Sequence, residues 1–167
     1  EPLTIDDVTS EQFIHSFIPA AEIEQKPGFF FVEKWWRFDV KNYTNERDWF
    51  LELAFQLIND IEIYAVNGNQ YELLYEGGAD HPFAEKEINH RNFIYSIEVE
   101  HNTTKTFYVK VVGSGDLHPP INIWDKDRFL EKTGVEYGLL GVFYGIIIVM
   151  IAYNLFLFFS LRIRSYL

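Results

Sequence analysis

The sequence predicts a mainly β chain, an antiparallel β-sandwich followed by one C-terminal transmembrane α-helix. Three observations carry that prediction. Residues 138–161 run for roughly 24 positions without a charged side chain; eight short aromatic and β-branched runs precede them; and turn-forming residues separate those runs. At about 1.5 Å per residue a helix of that length spans a hydrocarbon core of about 30 Å with some tilt. A buried helix of a soluble protein keeps a polar stripe, whereas here only Tyr144, Tyr153, Asn154 and Ser160 interrupt the apolar run.

In chain order, residues 1–28 form a lead-in segment with a short helix expected near Thr9–Ser16, then Pro19, Pro27 and Gly28. Residues 29–124 hold the sandwich. Its strands are expected at Phe29–Val32, Trp35–Val40, Trp49–Phe55, Ile61–Val66, Gln70–Tyr75, Asn92–Val99, Thr106–Val112 and Ile121–Trp124. Seven or eight strands at this spacing make an antiparallel sandwich or jelly roll. The Asn67-Gly68 step marks a hairpin, because both residues tolerate positive φ. Alternation assigns Trp36, Phe38 and Val40 to one face, with Trp35, Arg37 and Asp39 on the other. In the next run Trp49, Leu51 and Leu53 oppose Phe50 and Glu52.

Residues 125–137 read as a helical linker with Asp125 as N-cap, and 162–167 as the start of a cytoplasmic segment. Arg162 and Arg164 follow the apolar run, and retained positive charge places that end on the cytoplasmic side of a bacterial inner membrane. Residues 1–137 then lie in the periplasm. The absence of cysteine favours a bacterial envelope protein over an animal extracellular domain. The chain starts at Glu1 without a signal peptide, as expected of a mature or trimmed piece.

Charge excludes one class of partner. Residues 1–134 carry 12 Lys and Arg against 24 Asp and Glu, so a nucleic-acid backbone finds no basic face. Nor is an enzyme expected. The five histidines at 15, 81, 90, 101 and 118 fall in no metal-binding spacing and read as surface or loop residues, and no nucleophile or phosphate-loop motif occurs. No cofactor and no metal are expected. Two Asn-x-Thr triplets, at Asn42 and Asn102, would matter only in a eukaryotic secretory protein.

Trp35, Arg37, Glu52 and Arg91 suit ligand recognition. Trp offers apolar area to a sugar face, and Arg offers a bidentate fork to a carboxylate. The competing account pairs Arg37 and Arg91 with Asp39, Glu52 or neighbouring acids. In the apolar run, Gly141 and Gly145 form a small-residue face for close helix approach, and Asn154 offers a hydrogen bond to a neighbouring helix, which would allow a homodimer.

Several motifs together resemble one family. Trp35-Trp36-Arg37-Phe38, Trp49-Phe50-Leu51-Glu52-Leu53, Ile61-Glu62-Ile63-Tyr64, His81-Pro82-Phe83, His90-Arg91-Asn92-Phe93 and Phe107-Tyr108-Val109-Lys110-Val111 with Gly113-Ser114-Gly115 are similar to the extracellular sensor domain, of the second type, of bacterial seven-transmembrane receptors with diverse intracellular signalling modules (7TMR-DISM). Glu136-Tyr137-Gly138-Leu139-Leu140-Gly141, Tyr144-Gly145, the Tyr153–Phe158 stretch and Ser165-Tyr166-Leu167 resemble that family's first membrane helix and its exit. Lys34 stands where the family usually has an aromatic residue.

The resemblance implies a carbohydrate-binding-module-like jelly roll in the periplasm, followed by seven helices, of which this chain carries one, and a cytoplasmic output module. It implies Trp35, Arg37, Glu52, Arg91 and Asn92 as sensing positions. The expected function is to bind a carbohydrate or small carboxylated ligand, or a partner receptor's ectodomain, and to relay binding through the membrane helix. The alternative is a membrane-anchored carbohydrate-binding or protein-docking module without signalling.

Overall fold

The computed structural model describes residues 3–22, 31–68, 70–115 and 117–161. The chain divides into two compact units at Asp125. The first is the sandwich with its lead-in; the second begins at Lys126 as a single helix.

The lead-in starts helix earlier than the sequence pattern suggested. Thr4 and Asp7 form a reciprocal capping box, which nucleates α1 (Ile5–Thr9). Ser10 then turns extended, its hydroxyl donating to the Asp7 carbonyl oxygen, so the expected Thr9–Ser16 helix is broken and only α2 (Glu11–Ile14) follows. A 3-10 turn at Ala20–Glu22 ends the described lead-in.

Among the described residues seven strands follow: β1 (Phe31–Lys41), β2 (Asp48–Leu53), β3 (Asp60–Asn67), β4 (Gln70–Gly77), β5 (Phe93–Glu98), β6 (Thr104–Ser114) and β7 (Ile121–Trp124). They make a four-stranded sheet in the order β1-β6-β3-β4 and a three-stranded sheet in the order β5-β2-β7, all antiparallel. The first two expected strands are one. β6 pairs along the whole of β1, from Phe31 opposite Ser114 to Lys41 opposite Thr104, and so carries the polar Glu33-Lys34 step inside a continuous ladder. Phe29 and Phe30, the expected start, lie outside the described residues.

One apolar cluster joins the two sheets. Ile61, Ile63, Ala65, Phe107, Val109 and Val111 come from the larger sheet; Leu51, Leu53, Phe93, Tyr95 and Ile97 come from the smaller. Trp36, Phe38, Val40 and Trp49 pack against it, so the period-2 assignment of β1 and β2 holds. The β3–β4 hairpin turns at Gly68, φ +64°, with Asn67 paired to Gln70, one residue later than the Asn67-Gly68 step. A bulge shifts the register between Ile63 and Tyr64, which lets both Leu74 and Tyr75 meet the core. Tyr75 then reaches across the layers, donating to the Ser96 carbonyl oxygen at 2.9 Å. Burial, with Glu87 nearby, pushes its hydroxyl pKa up to about 12.

Asn42 shows how the loops are tied. It is buried, its amide nitrogen donating to the Glu46 and Val99 carbonyls at 2.6 and 2.8 Å, and its oxygen accepting from the Thr44 amide and hydroxyl. A side chain so engaged is no glycan acceptor. Asn42→Ala leaves these buried groups without partners and is expected to cost about 1–3 kcal/mol, read as a lower urea midpoint at unchanged slope.

The second unit is α3 (Lys126–Leu161), 36 residues, about 54 Å long at 1.5 Å per residue. Most of its apolar residues from Leu139 to Phe159 are exposed, and it is long and apolar enough to cross a membrane. The expected linker and apolar run are thus one uninterrupted helix. A Cβ at Gly138, Gly141 or Gly145 would meet nothing within 4 Å, while Asn154 donates back to the Met150 carbonyl at 2.9 Å. Arg162 and Arg164 lie outside the described residues.

Candidate functional site

The outer face of the four-stranded sheet carries a band of aromatic and charged side chains. Because Trp36, Phe38 and Val40 turn inward, Trp35 and Arg37 turn out, beside Tyr108 and Lys110 of β6 and Glu62 and Tyr64 of β3. Trp35 stacks on Tyr64 with ring centroids 6.0 Å apart, and the Lys110 ammonium sits 5.8 Å from the indole. Glu62 takes both the Lys110 ammonium, at 2.9 Å, and the Tyr64 hydroxyl. Burial together with that carboxylate lifts the Tyr64 pKa well above the usual phenol range. Burial opposes the Lys110 charge, but the hydrogen bond and charge of Glu62, backed by Glu33 and Asp60, outweigh it and raise its pKa.

The lead-in lies over one end of this band. Ile5 and Val8 of α1 bury themselves with Tyr108, and Phe17 meets the Tyr108 ring edge-on at 5.9 Å. Glu33 fixes the arrangement, accepting from the Leu3 amide at 3.2 Å and from the Trp35 indole N–H at 3.1 Å. Between the lead-in and β1 remains a mostly apolar cleft of about 450 Å³, lined by Phe13, Phe17, Ile18, Glu33, Trp35 and Arg37 among others. Trp35 is therefore half-buried, with one ring face already occupied by Tyr64. Arg37 is exposed. Asp39, its expected acidic partner, instead accepts the Thr106 hydroxyl at 2.6 Å.

The other sequence-derived positions lie on the opposite sheet. Glu52 points away from the core cluster, as its alternation with Leu51 and Leu53 requires, yet it is fully buried. Asn92 donates to its Oε1 at 2.7 Å, Trp124 to Oε2 at 2.7 Å, and Asn122 to Oε2 at 3.4 Å. A buried carboxylate demands such charge-assisted bonds. Since Asn92 immediately precedes β5 and the other two belong to β7, this one side chain ties together all three strands of the smaller sheet. Arg91 beside it is exposed.

The five positions thus separate into Trp35 with Arg37 on one outer face and Glu52 with Asn92 on the other, Arg91 next to the latter. His90 departs from the expectation for the histidines. It is buried, its Nδ1 accepting from the Asn92 amide at 3.1 Å. Lys34, where an aromatic residue would be usual, reaches both ring nitrogens of His118, at 3.3 and 3.4 Å. Sequence reasoning missed Glu33, Tyr64 and Lys110. Their alternation signal was present, but their convergence depends on the β1-β6-β3 order.

No curated protein and no solved structure matches the chain. Residues 1–125, which hold the lead-in and both sheets, match the 7TMR-DISM extracellular 2 family. The matched stretch covers most of the chain and is followed by α3, a helix long and apolar enough to cross a membrane, and the chain belongs to the 7TMR-DISM extracellular 2 family.

Proposed function

We propose that this chain is the periplasmic ligand-sensing part of a bacterial inner-membrane signalling receptor, binding a carbohydrate or small carboxylated ligand in the cleft between the lead-in and β1. The observation that carries the reading is that cleft, about 450 Å³ and mostly apolar, with Trp35 in its wall and Arg37 at the same strand. Trp35 contributes apolar ring area to a sugar. Glu33, itself a carboxylate, repels a ligand carboxylate, and the exposed guanidinium of Arg37 is the side chain that takes one. Glu52 and Asn92, being buried, hold the smaller sheet rather than touch the ligand.

The family's extracellular placement and the apolar α3 support a domain outside the membrane, with the C-terminus in the cytoplasm. Binding is relayed through α3 to an output module beyond it. Gly141, Gly145 and Asn154 pack α3 against another helix, of the same receptor or of a second copy.

The test is a thermal-shift screen of the full chain in detergent against envelope oligosaccharides and small carboxylates. A ligand at 100 times its dissociation constant adds about 2.7 kcal/mol to stability. Arg37→Ala is expected to weaken a carboxylated hit at least tenfold, with the unliganded melting temperature unchanged because Arg37 is exposed. Undiminished affinity in Arg37→Ala and Trp35→Ala removes the cleft as the site. A blank screen points instead to a protein ligand.

A further inference from the structure

A second cluster lies at the opposite edge of the four-stranded sheet from β1, around the end of β4. Asp60 opens β3, Glu76 lies next to last in β4, and His81 sits in the loop beyond it. One donor atom from each, two carboxylate oxygens and an imidazole nitrogen, lies within 4.8 Å of the other two. We propose that Asp60, Glu76 and His81 form a binding site for a divalent transition-metal ion, with Zn²⁺ the best match.

Three features support the assignment. The donor set is mixed: imidazole suits Zn²⁺ and its first-row neighbours, and two carboxylates neutralise a dication, whereas Ca²⁺ and Mg²⁺ take oxygen ligands. Ligand atoms about 2.0–2.2 Å from a shared ion stand roughly 3–4 Å from one another; Asp60 and His81 are already at 3.1 Å, and Glu76 lies within 4.8 Å of both, so a small side-chain movement closes the set. Asp60 and His81 are at 3.1 Å in the present arrangement, which places the imidazole Nε2 in the cluster, while Glu76 forms no hydrogen bond or ion pair with a cationic side chain among the described residues. Two carboxylates whose oxygens approach within 4.8 Å repel one another, and a dication between them reverses the sign.

The scaffold is also fixed before any ion arrives. The loop after β4 is bonded to the segment that leads into β3: the Ala79 amide donates to the Ile58 carbonyl at 2.8 Å and the Asp80 amide to that of Asn59 at 3.1 Å. The Asn59 amide nitrogen donates to both oxygens of Asp80, each at 3.1 Å. Gly78, at φ +141°, allows that approach, since a Cβ there would stand 2.1 Å from the Asn59 carbonyl oxygen. His81 is therefore delivered to Asp60 by backbone. Three protein ligands leave a tetrahedral ion one further position, for water or a ligand atom.

The experiment is calorimetric titration of the full chain in detergent, stripped with EDTA, with ZnCl₂ alone, followed by nitrogen-15 NMR of the histidine rings. Expected are one strong Zn²⁺ site per chain, a shift of the His81 ring resonances, and at least tenfold weaker binding in Glu76→Gln and in His81→Ala. His101→Ala, away from the cluster, should bind within twofold of the parent. Glu76 is exposed, so its amide variant keeps the fold even if His81→Ala loosens the loop. Zn²⁺ binding undiminished in Glu76→Gln and His81→Ala, or absent from the parent chain, overturns the proposal. So does Ca²⁺ bound as tightly and insensitive to His81→Ala, which describes an acidic surface. None of these outcomes touches Arg37 or the cleft, so the two sites stand or fall separately.

Discussion

Glu52→Ala lowers the stability of the sandwich by about 3–5 kcal/mol, more than any exposed substitution on either sheet, because it leaves several neutral donors without an acceptor and opens a cavity in their place. The geometry sets the size of the effect. Both carboxylate oxygens are in use, one by Asn92 and the other by Trp124 and Asn122, and the side chain is fully buried. Removing it strips partners from an indole N–H and two amides at once, and no neighbouring strand can refill the space. Glu52→Gln is milder, since one oxygen remains, but it sets an amide N–H₂ against other donors and is expected to cost about half as much. Glu52→Met leaves the donors unmatched but fills the volume, and falls between the two. Urea unfolding followed by tryptophan fluorescence gives the order, and equal midpoints for parent and Glu52→Ala would remove Glu52 as the tie between the three strands.

The second large effect is at the loop after β4. Gly78→Ala forces a Cβ to within 2.1 Å of the Asn59 carbonyl oxygen and 2.8 Å of the Asp60 Cα, both backbone atoms that cannot swing aside as a side chain would. It also imposes φ +141° on a residue with a Cβ, a conformation that is essentially glycine's alone. Together these cost about 2–4 kcal/mol. The relief available is for the loop to lift from Ile58 and Asn59, carrying His81 away from Asp60. Gly68→Ala is the control, at positive φ but with open space around its Cβ, and should cost about 1 kcal/mol. Hydrogen exchange at Ala79 and Asp80, whose amides bond to that segment, should rise in Gly78→Ala and stay unchanged in Gly68→Ala.

Both substitutions mark where sequence reading stops. The alternation of Trp36, Phe38 and Val40 with Trp35 and Arg37 assigned the two faces of β1, and the same logic placed Leu51 and Leu53 in the core. Period-2 patterning reads which side a residue takes, but not what lies over that side. Glu52 was therefore legible as outward-facing and illegible as buried, since its partners stand 40, 70 and 72 positions away. Trp35 was legible as outward but not as half-covered, because the lead-in that covers it folds from a capping box at Thr4 rather than from a hydrophobic pattern. The metal donors were invisible for a related reason. Asp60 and His81 are 21 positions apart and meet only after the β3–β4 hairpin has folded back. Motif spacing works when ligands share one helix or one turn; a hairpin return has no fixed spacing.

β7 has only four residues and pairs with β2 alone, yet α3 continues from it after one intervening residue. Ile121 and Ile123 pack on the core while Asn122 and Trp124 point to Glu52. Sliding β7 by one residue would exchange those sets, turning an indole and an amide inward. Sliding it by two preserves the faces and moves the strand by about 6.8 Å, two repeats of an antiparallel strand. A two-residue slip would therefore keep both faces yet carry Asn122 and Trp124 away from Glu52, so that the buried carboxylate, and not the apolar pattern, singles out the register observed.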